Sequence, residues 1–206
     1  MSDTAAVCTP VPVNPGSFNP NSRLPYGLQI NQLHQAMNDF LDFLGFVNRQ
    51  LYSKGLPRLE CLLMPATFSS LVGEYIVYRI PSHCTQLAKN QYPNGHPDLI
   101  PKGNFPNDAI LRGDKGIEVK ASRYSSGWQG HNPESVWLLV FQIDCNSPNE
   151  KNTQPRPFQF KAVYGAKLDK QDWNFSGRSA TSRRTITASV NKSGLEKMKQ
   201  NWIYRI

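Results

Sequence analysis

The sequence has no apolar run near the roughly 18 residues that a membrane span needs. Its longest candidate, Val136-Trp-Leu-Leu-Val-Phe141, falls far short. No basic segment followed by an apolar stretch opens the chain at Met1-Ser-Asp-Thr-Ala-Ala, so no signal peptide is expected and a cytoplasmic location is. The four cysteines, Cys8, Cys61, Cys84 and Cys145, form no CxxC pair and have no histidines at zinc-finger spacing. They read as buried or idle thiols. No G-x-x-x-x-G-K-[ST] loop and no G-x-G-x-x-G turn occur, so no nucleotide cofactor is expected. A serine-hydrolase elbow is missing too. Charged residues are only 18% of the 206, and 39% are hydrophobic, which excludes wholesale disorder.

Acidic charge is scarce in one place. Residues 1–150 carry a balance of −1 and residues 151–206 one of +9, so the entire net charge of +8 comes from the last quarter. Arg178, Arg183, Arg184 and Lys192 lie in that segment. A positive field of this kind attracts a polyanion, and phosphate contacts supply most non-specific nucleic-acid affinity. These four residues are the candidates for DNA contact.

Residues 1–27 hold five prolines with many Ser, Asn and Gly and read as a Pro-rich, extended arm with little core of its own. A single domain over 28–206 is expected to follow, ending in the basic segment 151–206. Leu33, Met37, Phe40, Leu41, Leu44, Val47 and Leu51 recur at helical steps and predict a helix from about Asn31 to Ser53. Pro65 to Arg79 reads as a second helix stopped by Pro81, with Glu74 in a largely apolar stretch. Strands are predicted at 117–121, 136–143, 158–167 and 184–190, and a short helix at 193–200. This order argues an α/β domain with a mixed central sheet flanked by helices.

The chemistry is concentrated between His96 and Ser122. On a strand, residues i and i+2 share a face, so Glu118 and Lys120 stand together while Ile117, Val119 and Ala121 take the other side. Arg112-Gly-Asp-Lys-Gly116 is rich in turn formers and predicts a hairpin between 109–111 and 117–121. Pairing Leu111 with Ile117 then carries Asp108 to Lys120 and beside Glu118. Two carboxylates are hard oxygen ligands for Mg²⁺, with the Val119 carbonyl as a further ligand. A metal neutralises a scissile phosphate and acidifies water, while a lysine stabilises developing charge.

Pro97-Asp98, then a gap, then Glu118-x-Lys120 on an apolar strand resembles the PD-(D/E)xK nuclease superfamily, which includes most type II restriction endonucleases. The resemblance covers roughly residues 68–145. In that family an aspartate before the second core strand pairs with Glu-x-Lys on the third, and the preceding helix often carries a further glutamate. The resemblance implies a restriction-endonuclease-like core and Mg²⁺-dependent, sequence-specific endonucleolytic cleavage of double-stranded DNA. A homodimer is implied because two symmetric sites cut a palindrome most simply. Glu118 and Lys120 match directly. Asp98 is the literal match but is followed by Leu-Ile-Pro, a poor start for a long central strand, so the hairpin makes Asp108 the favoured metal ligand with Asp98 in reserve. Glu74 stands where the helix glutamate belongs, and His131 is a candidate for phosphate contact. A non-catalytic DNA-binding protein on the same fold, and a nuclease subunit of a larger defence or repair complex, are the alternatives.

Overall fold

The computed structural model describes residues 5–130, 132–150, 154–175 and 188–206. The helices are α1 (Ile30–Ser53), α2 (Leu59–Leu62), α3 (Pro65–His83) and α4 (Lys192–Gln200). The strands are β1 (Leu87–Lys89), β2 (Leu99–Pro101), β3 (Ile117–Ser122), β4 (Gln129–Gly130), β5 (Trp137–Asp144), β6 (Gln159–Lys167), β7 (Trp173–Phe175), β8 (Ala188–Val190) and β9 (Trp202–Arg205). None of these helices is long and apolar enough to cross a membrane.

A six-stranded sheet runs β1-β2-β3-β5-β6-β9. It is mixed: β3 and β5 are parallel, and the other neighbours are antiparallel. The parallel pair needs a crossover, and residues 123–136 supply it with β4 on the way. β4, β8 and β7 form a small second sheet.

The central strand β5 explains both layers. Its residues are buried on both faces, as a near-continuous apolar run demands. Leu139, Phe141 and Ile143 join the core shared with α1 and α3, whereas Leu138 and Val140 join a second core with Trp128, Tyr164, Trp173 and Met198. In α1 the stripe Leu33, Met37, Phe40, Leu41 and Leu44 is buried as the periodicity predicts. Helix α3 passes over β3 at Gly73, where an added Cβ would lie 3.8 Å from the Val119 carbonyl. Pro81 falls in its last turn rather than ending it, and the helix runs on to His83.

Residues 5–27 lie along the domain. The Val11 amide donates to the Phe158 carbonyl (2.8 Å) and the Asn19 amide to the Ile203 carbonyl (2.9 Å). Phe18 packs on Tyr204, and Cys8 and Val13 are buried. The Tyr26 hydroxyl accepts from the Gly116 amide at the entry to β3 (2.9 Å). Cys8, Cys84 and Cys145 are buried and Cys61 is half-buried. Burial pushes the Cys145 thiol up to about 12, so it is inert at neutral pH.

Candidate active site

Strand β3 carries Glu118 and Lys120, and its antiparallel partner is β2, not the 109–111 segment. The expected hairpin does not form. Leu99 takes the place opposite Ile117, and one step along that antiparallel register brings Asp98 opposite Glu118. Beyond Leu99 the backbone pairing ends. There the Asp98 carboxylate replaces a strand partner and accepts the Val119 amide at 2.8 Å. N–H and C=O of one strand residue point the same way, so the Val119 carbonyl opens on this edge as well. Pro101 is tolerated because it ends a three-residue strand.

Asp108 stands elsewhere. It closes a 3-10 turn (Pro106–Asp108), has a positive φ of 50°, and accepts the Gly103 amide at 2.6 Å. Its role there is to hold a turn. The hairpin reading assumed that neighbouring apolar pieces pair. The chain instead returns to the earlier piece, Leu99–Ile100.

Two features force Asp98 and Glu118 together. Gly116 has a φ of 147°, and a Cβ there would meet the Leu99 carbonyl oxygen at 2.2 Å and the Pro97 ring at 2.4 Å. Only glycine permits that approach. Asn90 is buried and clamps the segment from inside. Its Nδ2 donates to the carbonyls of Pro97 (3.0 Å) and Ile110 (2.8 Å), its Oδ1 accepts the amides of Tyr92 and Ile110, and its own amide donates to the Asp98 carbonyl.

Around Glu118 the charges alternate. Lys120 Nζ lies 2.7 Å from one carboxylate oxygen, and His96 Nδ1 lies 2.9 Å from the other. Behind His96, its Nε2 stands 3.4 Å from Glu134. Burial works against the Glu118 charge, but the hydrogen bond from His96 and the charge of Lys120 outweigh it and hold the carboxyl down at about 2. Asp98 goes the other way. Burial and the Glu118 charge push it up to about 7, against the pull of the Val119 amide. Burial disfavours the charge on Lys120 as well, yet Glu118 raises its pKa and keeps it an ammonium. His96 is likewise raised, by Glu118 and Glu134 against burial. Two carboxylates whose environments drive them apart, in a cleft, are a recognised mark of a functional site.

The cleft has a volume of about 1190 Å³. One wall is the N-terminal half of α3, and the other is the end of β3 with the 122–129 loop. Asp98, Glu118, Val119 and Lys120 all line it, and Arg123 stands farther along. Glu74 also lines it, from α3, but is exposed and lies 3.3 Å from Lys89. Lys192 is exposed at the first position of α4 and does not line the cleft. His131, Arg178, Arg183 and Arg184 lie outside the described residues.

His96, Glu134, Asn90 and Gly116 were not singled out from the sequence. His96 adjoins Pro97-Asp98, which was a signal of position alone. Asn90 and Glu134 come from loops with no motif. Compared with known proteins, the chain matches no family model, no curated protein and no solved structure.

Proposed function

We propose that this chain is a Mg²⁺-dependent endodeoxyribonuclease that hydrolyses phosphodiester bonds in double-stranded DNA. The observation that carries the reading is the Asp98 carboxylate bonded to the Val119 amide, between Glu118 and Lys120. An aspartate before the second strand of the sheet, with Glu-x-Lys on the third, is the arrangement the PD-(D/E)xK resemblance implies. Glu74 on the preceding helix and the mixed sheet order agree with it.

The donor set suits a hard divalent cation. Burial and, after it, the Glu118 charge push Asp98 up to about 7, so a cation between the two carboxylates relieves both the buried charge and their repulsion. Asp98, Glu118 and the Val119 carbonyl would hold Mg²⁺. When bound, it supplies charge neutralisation at the phosphate and acidification of water.

The chain's own residues have separate tasks. Lys120 is held protonated by Glu118, so it acts as a donor and not as a base. It orients an attacking water or a phosphate oxygen and stabilises the charge that gathers on the phosphate. Arg123 lines the cleft farther along, ion-paired with Glu150. The basic segment, including Arg178, Arg183, Arg184 and Lys192, attracts the duplex. A restriction-type role and a homodimer follow if two such sites face one palindrome. The test is the cleavage of long unmethylated duplex DNA with Mg²⁺ or EDTA. Discrete Mg²⁺-dependent fragments support a site-specific nuclease. DNA left intact under both conditions contradicts the proposal.

A further inference from the structure

Beside the proposed Mg²⁺ ligands, the face of Glu118 turned away from Lys120 meets a different kind of donor. His96, Glu118 and Glu134 each offer one ligand atom, and these atoms all lie within 4.8 Å of one another. The ring nitrogens of His96 reach both carboxylates, Nδ1 at 2.9 Å from Glu118 and Nε2 at 3.4 Å from Glu134. One imidazole gives an ion a single nitrogen, so the fit is measured by the 4.8 Å within which one ligand atom from each residue falls. Donors about 2.0–2.2 Å from a shared tetrahedral ion stand roughly 3.4 Å apart, so the two carboxylates must close in around the ion.

The three residues come from separate parts of the chain: the segment before β2, β3 itself, and the crossover to β5. Their side chains are sheltered without being sealed, at 21%, 12% and 18% exposure. The His96 backbone is fixed on both sides. Its amide donates to the Leu111 carbonyl (3.0 Å), and its carbonyl accepts the Gly113 amide (2.8 Å). The Asn90 clamp holds the next two carbonyls. The imidazole is therefore presented from a rigid frame, which a metal site requires.

The donor type decides the ion. Mg²⁺ prefers oxygen ligands and retained water, whereas an imidazole with carboxylates suits Zn²⁺. We propose that His96, Glu118 and Glu134 form a second cation site, one that takes Zn²⁺ and shares Glu118 with the Asp98 side. The assignment of Asp98 to Mg²⁺ rests on the nuclease reading, but Zn²⁺ binding here does not require that the chain cut DNA.

The test uses the full chain, stripped with EDTA and free of DNA. Zn²⁺ is titrated by calorimetry, and Co²⁺ is followed by visible absorption as a stand-in. The expected result is one Zn²⁺ per chain, retained in a roughly hundredfold excess of Mg²⁺. His96→Ala and Glu134→Gln should each weaken it by roughly 10- to 100-fold. Asp98→Asn should keep it. Circular dichroism on each variant separates lost ligation from lost fold, and Glu134→Gln serves if His96→Ala misfolds. Absence of Zn²⁺ binding, unchanged affinity in two folded variants, or a cobalt–thiolate band marking a cysteine site would each overturn the proposal. A chain that binds Zn²⁺ in this pattern yet leaves DNA intact would sink the nuclease reading and keep this one.

Discussion

At the scale of single residues, the candidate site is a set of opposed environments on neighbouring groups. Glu118 is ionised because His96 and Lys120 hold it so, and Asp98 is raised because burial and Glu118 leave it uncompensated. The sign for stability follows. A carboxyl raised from its usual 3.8 to about 7 destabilises the metal-free fold increasingly as pH climbs between those values, and fully above them. Asn keeps the oxygen that accepts the Val119 amide while removing the charge. Asp98→Asn should therefore raise the melting temperature of the metal-free protein at pH 8 by roughly 2–4 °C or more while abolishing cleavage. A melt in EDTA checks this, and a fall in melting temperature would contradict it. Mg²⁺ binding must displace the Asp98 proton below pH 7, so affinity should fall by up to about tenfold per pH unit from 7 downward. Calorimetry at pH 6, 7 and 8 reads that slope. Asp108→Asn should leave cleavage nearly unchanged, because its carboxylate caps the Gly103 amide away from Glu118.

At the scale of elements, the site depends on β2 approaching β3 at one point. Gly116 makes that approach possible. Gly116→Ala forces a Cβ to within 2.2 Å of the Leu99 carbonyl at a φ that L-residues avoid. It should cost about 2–4 kcal/mol and lower activity beyond what the loss of folded protein explains. Urea unfolding beside a cleavage assay reads both. The same elements show what was legible in advance. Helix α1 was, because its apolar residues repeat over about five turns, from Leu33 to Leu51. Strand β5 was, because an apolar run between turns has few other solutions. Glu118 and Lys120 shared a face by strand periodicity alone. The partner of β3 was not legible. Periodicity gives each strand's faces but not its neighbour, and pairing the nearest apolar piece chose Asp108 over Asp98. Asn90 was hidden for a similar reason: a loop asparagine looks like a turn former until its four side-chain hydrogen bonds are seen.

At the scale of the whole molecule, the chain combines a nearly neutral body with a basic final quarter. Replacing Arg178, Arg183 and Arg184 together with Gln should lower DNA affinity at all sequences alike. It should also shallow the dependence of log affinity on log salt by up to about 3. Gel shifts between low and moderate salt would show an unchanged slope if these residues do not meet phosphate. The N-terminal arm belongs to the same frame, since it crosses the β6–β9 edge and reaches Gly116 through Tyr26. The central claim is that Asp98, Glu118 and Lys120 cut duplex DNA with Mg²⁺. Its most direct test is one cleavage assay on long unmethylated DNA, comparing wild type with Lys120→Ala, each with Mg²⁺ and with EDTA. The account predicts Mg²⁺-dependent fragments from the wild type and a rate lowered by roughly 10²–10³ in the folded variant. Equal cleavage by both proteins, or intact DNA from the wild type with Mg²⁺, would contradict it.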